Sequence, residues 1–333
     1  MAQQSWGADS GASGFRTTVE ISKKVVQASQ PEQIFRQFVS VEGAFGKGKG
    51  ESVQIYRALN TDVESDSAAI NELDRIPTTR VSVTPKLITV NEYGRAIPFT
   101  GKVEMLAEVD VESNVYMKAL KNHMTKTIDR QVATAFKGSD VIYTPTGPAA
   151  GVFDVDGTAS TTATSNITVF HLKEIVDGMK SGQLRSSDGT LVGTNRPIPF
   201  YSGNYYIALC STRFLRGVKD DPEFQAAAHY ANADGLYKGE IGRMPFYNLR
   251  FVEQNHLNAL SNGTGTNSVL GEAVIFGEDP VREIVAMAEE VRVKIPEDYG
   301  RDQGIAWLAL LGWGRVWDFS TDGEEHIVRI TSA

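Results

Sequence analysis

The chain has 333 residues and a formal net charge of −8, with 41% hydrophobic and 22% charged residues. That length calls for two domains or one large elongated one, and the composition is that of a folded protein rather than a disordered or fibrous one. The negative balance excludes a broadly basic surface of the kind that coats nucleic acid.

Residues 1–14 are small and polar, with Gly7, Gly11 and Gly14, and read as an arm. Met1-Ala2-Gln3-Gln4-Ser5 has no basic stretch followed by an apolar one, so no secretory signal is expected, and folding in a reducing cytoplasm follows. Residues 15–45 mix apolar and polar positions without a sustained period, which predicts an extended arm with a short helix near Glu32 to Phe38. Gly46-Lys47-Gly48-Lys49-Gly50 then breaks the chain as a flexible basic hinge.

This front is basic. Residues 1–57 carry seven basic groups (Arg16, Lys23, Lys24, Arg36, Lys47, Lys49, Arg57) against five acidic ones, a net of +2. Residues 272–333 carry thirteen acidic groups against six basic, a net of −7. Opposite signs at the two ends would attract between copies, with Lys23, Lys24, Lys47 and Lys49 as candidate contacts. The plainer reading is variation on solvated surfaces.

Residues 52–59 alternate as a strand, and residues 80–90 alternate again around Val81, Val83, Leu87 and Val90. Between them lies a polar stretch that nevertheless holds Ile70, Leu73 and Ile76, which marks a projecting loop with a partner to cover it. Glu92-Tyr93-Gly94-Arg95 reads as a turn, and Ala96 to Thr100 as a returning strand. From about Asp110 to Lys137 there is neither Pro nor Gly, and Met117, Leu120, Met124, Ile128, Val132 and Phe136 form one apolar stripe at helical spacing. Lys118, Lys121, Asp129, Arg130 and Lys137 fall elsewhere on the wheel. With Asp110 as N-cap and Gly138 just past the end, the helix would span about 40 Å.

A glycine- and threonine-rich stretch follows from Thr144 to Thr164, then a helix from Val169 to Met179. Tyr205 to Cys210 reads as a buried strand, with helical segments at Thr212–Val218 and Pro222–Tyr230 and strands at 249–253, 273–276 and 291–295. Gly304 to Phe319 reads as a β segment despite Gly312 and Gly314, and His326 to Ile330 as a last strand. Cys210 has no second cysteine to pair with and sits in an apolar run, so it is expected to be a small buried hydrophobe. No apolar stretch reaches the roughly 20 residues that span a bilayer.

Few residues invite chemistry. Gly43 to Lys49 fits the first seven positions of a phosphate loop, but Gly50 stands where Ser or Thr would hold Mg²⁺, and a strand follows instead of a helix. Asp154-Val155-Asp156-Gly157 opens like a calcium loop but lacks the distal glutamate, which leaves a surface turn. His171 and Glu174 stand at i, i+3 without a visible third ligand. Trp307, Trp313 and Trp317 suit a packed strand or an interface better than a ligand cage. No catalytic residue, metal ligand set or cofactor is assigned.

The order of segments and several local stretches resemble the major capsid proteins of tailed double-stranded-DNA bacteriophages. The stretches are Glu92 to Thr100, Thr127 to Ala133, Tyr205 to Arg216 followed by Asp221-Pro222-Glu223-Phe224, Gly239 to Arg243 followed by Arg250 to Glu253, and Ala273 to Gly277. The resemblance covers about residues 45–333 and implies an α+β chain with the Hong Kong-type capsid fold. It implies an N-terminal arm (1–50), an extended β loop lying over a neighbour (51–104), and a spine helix with peripheral domain (105–149). A mainly axial domain (150–271) and return strands of both domains (272–333) would complete the subunit.

It further implies self-assembly into pentamers and hexamers of an icosahedral head, with packaged DNA inside and no membrane partner. Portal and decoration proteins are possible partners, and a separate scaffolding protein, or none, is expected. Assembly would take place in the host cytoplasm. Two rivals remain: the shell protein of a bacterial nanocompartment, and an enzyme with an unrecognised site.

Overall fold

The computed structural model describes residues 34–42, 50–59, 72, 75–76, 78, 81–106, 115–230, 247–256, 259–295 and 301–330. Its centre is a mixed sheet in which β10 (Leu249–Gln254), β9 (Tyr206–Ser211), β11 (Ala273–Phe276), β14 (Ile327–Ile330), β5 (Ile142–Gly147) and β6 (Ala150–Asp154) lie side by side in that order. Both faces of this sheet are covered. Along β9, Tyr206, Ala208 and Cys210 join one core and Ile207 and Leu209 the other. Along β11, Ala273 and Ile275 face the first and Val274 and Phe276 the second. A strand covered on both faces has no polar side to show, which is why these runs read as continuously apolar. Cys210 is fully buried, and burial pushes its thiol well above the usual range.

The first core is closed by α3 (Val169–Ser181) and α4 (Thr212–Asp220) through Leu172, Ile175, Met179, Phe214 and Leu215. The second is organised by α2 (Met117–Lys137), which separates the six-stranded sheet from a second sheet of four strands. That sheet has the order β1 (Ser40–Glu42), β12 (Val281–Val293), β13 (Asp302–Arg315) and β4 (Asn91–Thr100). Leu120, Ile128, Val132 and Phe136 of α2 are buried as their spacing predicts, while Met124 is only partly buried and Met117 is 40% exposed.

Several sequence expectations need correction. The helix begins at Met117, after a π-type turn at Val115 and Tyr116, so its 21 residues span about 31 Å; the proposed cap Asp110 lies outside the described residues. Gly138 caps the helix without a left-handed conformation, at φ −74°. Asp129, off the apolar stripe, is nevertheless buried. Glu92 to Arg95 is not a turn but lies in the first half of β4. Gly94 stands there because β13 passes so close that a Cβ would come within 2.8 Å of the Trp307 carbonyl oxygen. The stretch from Thr144 is largely the β5–β6 hairpin, and the strand placed at 291–295 is the end of the much longer β12.

Two small ribbons complete the fold. β2 (Ser52–Ala58) and β3 (Val83–Thr89) form an antiparallel hairpin, and β7 (Gln183–Arg185) pairs with β8 (Leu191–Thr194). Short helices α1 (Gly101–Leu106), α5 (Pro222–Tyr230) and α6 (Phe319–Asp322) link the strands. Among the described residues no helix is long and apolar enough to cross a membrane.

Candidate assembly surfaces

Residues paired across an antiparallel ribbon point to the same side, so the register of β2 with β3 sorts the hairpin into two faces. One face pairs Val53 with Ile88, Ile55 with Lys86 and Arg57 with Thr84. Its apolar members pack with Val90, Ile284, Ala286 and Leu310 on the outer side of the four-stranded sheet. Gly312 and Gly314 make the seat flat: a Cβ on the first would meet the Thr89 carbonyl oxygen at 2.6 Å, and one on the second the Ile88 side chain at 2.7 Å.

The polar end of this face is an ionic latch. Arg57, 3% exposed, bonds Asp322 and donates to the Val316 carbonyl at 2.8 Å. Lys86 bonds Asp318, and Thr84 donates to Asp322 at 3.0 Å. Asp318 also meets Arg315 at 2.9 Å, and Arg315 continues to Asp140 at 3.2 Å and to Glu325 at 2.5 Å. Burial pushes the Glu325 carboxyl up to about 8, against the pull of Arg315 and of the Asp140 backbone N–H.

The other face of the hairpin pairs Gln54 with Leu87, Tyr56 with Pro85 and Ala58 with Val83. Ser52 and Thr89 share this face at its other end and bond each other at 3.2 Å. From Leu87 to Val83 it is apolar apart from Gln54, and it is open: Tyr56 is 70% exposed, Leu87 64% and Val83 54%. A lone two-stranded ribbon is marginal in water. This one is held by its inner face and its latch, and its outer face is uncovered in the subunit.

A second fixed point is Asp129 on α2. Its Oδ1 accepts from the backbone N–H groups of Ile34 and Phe35, at 3.1 and 2.9 Å, and its Oδ2 lies 3.3 Å from His256 Nδ1. Phe35 is fully buried, and Arg36 bonds Glu283, at 2.7 Å, and Glu289. The arm is therefore bolted to the body at residues 34–36. No periodicity flags this, because a buried carboxylate with backbone partners from 94 residues away is a tertiary event.

Of the residues proposed from sequence as contacts, Ile76 is described and 73% exposed. Ile70, Leu73, Lys23, Lys24, Lys47 and Lys49 lie outside the described residues, as does most of the Gly43–Gly50 stretch. His171 holds no metal in prospect: Nδ1 accepts from the Thr168 N–H at 3.0 Å and Nε2 faces the Gly147 carbonyl at 2.9 Å. This is a neutral ring whose protonated form burial disfavours. Glu174 accepts from the Tyr143 hydroxyl. Asp156 and Asp154 accept from the backbone of Thr158 and Ser160, each at 3.0 Å, as in a surface turn. The three tryptophans do not form a cage: Trp307 is buried against His123, Trp313 packs on Tyr93 and Trp317 on His326. Among the described residues no group of three His, Cys, Asp or Glu is placed to hold a metal.

The family described as phage capsid protein matches residues 83–323. Comparison with curated proteins finds no match. Among solved structures the chain is similar to the head structure of Helicobacter pylori bacteriophage KHP40, with TM-score 0.71 and 12% identity over 98% of both chains. It is also similar to the acidic stable capsid structure of Helicobacter pylori bacteriophage KHP30, with TM-score 0.68 and 12% identity over 95% of both chains. A third likeness is to the capsid asymmetric unit of cyanophage Pam1, with TM-score 0.65 and 14% identity over 98% of this chain and 99% of that one. At such identities the likeness shows the fold, the Hong Kong-type α+β capsid fold.

Proposed function

The chain belongs to the phage capsid protein family, as a major capsid protein whose copies form the shell of the virion, and from that premise we propose how its own surfaces build that shell. Residues 51–104 reach over a neighbouring subunit, and the outer face of the β2–β3 hairpin is the part that is covered there. α2 and the four-stranded sheet form the peripheral domain of the capsomer. Residues 150–271, mainly on the six-stranded sheet, form the axial domain near its centre. The strands after residue 272 return to both.

The observation that carries this reading is the open apolar face of Tyr56, Pro85, Leu87 and Val83 on a ribbon otherwise firmly docked. Covering such side chains returns roughly 1–2 kcal/mol each. A shell repeats the contact in every subunit, so a modest gain per copy drives closure. The subunits form pentamers and hexamers that enclose double-stranded DNA. Assembly in the host cytoplasm, with scaffolding, portal and decoration proteins as further partners, fits the same role. That role asks for no catalysis, and none is assigned. The family match favours a phage head over a nanocompartment shell.

Electron microscopy of the purified protein tests the reading. Capsomers or closed shells are expected; uniform monomers at every concentration would refute it.

A further inference from the structure

β12 and β13 stay paired to their far end, where Val291 stands opposite Trp307 and Val293 opposite Ile305. Opposite residues share a face. Trp307 and Ile305 are each 1% exposed on the side covered by α2, yet Val291 is 49% exposed, Val293 66% and Ile295 84%. α2 lies over β13 and β4 and leaves this strip of β12 bare.

The arm enters the described structure beside that strip. Ile34 and Phe35 are bound to Asp129, the Phe35 ring lies 5.9 Å from that of Phe136, and the Phe38 ring 5.6 Å from that of Phe276. From residue 34 to 38 the chain thus runs toward the C-terminal end of α2. Followed backwards, from Phe38 to Ile34, the same path points toward His123, whose ring contacts Trp307. Arg36, bonded to Glu283 and Glu289, holds this path on the β12 side.

We propose that Val291, Val293 and Ile295 form the seat of this chain's own arm, with Val25 and Val26 laid on them. These two are the nearest branched apolar residues upstream of Ile34. The reach fits. From Asp129 back to His123 is about 9 Å of helix, and from Val291 to Ile295 about 13 Å of strand. The nine residues from Ile34 back to Val25 extend to about 30 Å, and Pro31 favours an extended path before it. The occupant is the chain's own arm because Asp129 already fixes its root within reach of the strip. The seat then sets the direction in which residues 1–24 leave the subunit, whatever they meet.

The test is a Val25→Cys, Val293→Cys pair in the full chain; Cys210 is fully buried and stays out of the reaction. After mild oxidation, denaturing gels without reductant should show a faster species of single-chain mass that reductant abolishes. Pairing Val25→Cys with Leu191→Cys, an exposed position on β8, should give none. In parallel, Val25→Asp with Val26→Asp should raise hydrogen exchange across residues 287–295 roughly tenfold. Cross-links only between chains would assign the seat to a neighbour's arm and overturn the proposal. So would absence of the single-chain species together with unchanged exchange.

Discussion

Arg57 of β2 donates to the carboxylate of Asp322 in α6, two buried side chains 265 residues apart in the chain. The contact ties a ribbon near the start of the fold to a short helix near its end. It lets the hairpin present an apolar outer face without coming loose. Neighbouring Lys86, Arg315, Asp140, Asp318 and Glu325 extend the same cluster into the body.

Removing one member of a buried ion pair strands the other. Arg57→Met should therefore lower subunit stability by about 3–5 kcal/mol. Hydrogen exchange should accelerate first in residues 52–58 and 83–89. An unchanged denaturation midpoint would show that the latch contributes nothing.

The same cluster predicts a pH dependence. Glu325 in the fold holds its proton up to about pH 8 because burial disfavours its charge, whereas in the unfolded chain it loses it near pH 4.3. Between these values the folded state binds the extra proton, so this group's contribution to stability falls as pH rises and levels off above about 8. Denaturant midpoints measured from pH 5 to 9 should show that slope, and Glu325→Gln should flatten it.

The outer face of the hairpin should matter to assembly and not to folding. Tyr56→Asp with Leu87→Asp changes side chains that are already exposed, so the subunit midpoint should shift by less than about 0.5 kcal/mol. Particle yield by sedimentation should collapse. Normal shells from this variant would place the interface elsewhere.

Asp129→Ala should release the arm. Two backbone N–H groups at Ile34 and Phe35 lose their acceptor, one of them buried, which costs about 1–3 kcal/mol. Protease should then cut near residues 34–38 in the variant and not in the wild type. By contrast Ile128→Asp places an unpaired carboxylate in the core under α2, at a cost of several kcal/mol, and should yield no soluble subunit.

Charge should show through salt. With Lys23, Lys24, Lys47 and Lys49 all changed to Gln, particles should be less stable at low salt. The deficit should shrink near 1 M, where screening reaches within about 3 Å. An equal deficit at both salt levels would point to packing of the lysine stems instead.

The sequence by itself determined what depends on local periodicity. The stripe from Leu120 to Phe136, the apolar runs at 206–210 and 273–276 and the alternation at 52–58 each state how their element is buried, because side-chain direction repeats with the backbone. The ordered stretches that resemble phage capsid proteins pointed to the fold in the same way. Only the tertiary structure decided the rest. Gly94 reads locally as a turn, and becomes a strand residue because β13 lies against it. Asp129 reads only as a charge off the apolar stripe, and becomes the acceptor that fixes the arm. Arg57, Arg315, Asp140, Asp318, Asp322 and Glu325 carry no shared spacing, and are one cluster only once the sheets are assembled. Close approach and charge pairing depend on distance in space, and chain order does not encode that distance until the cores have closed.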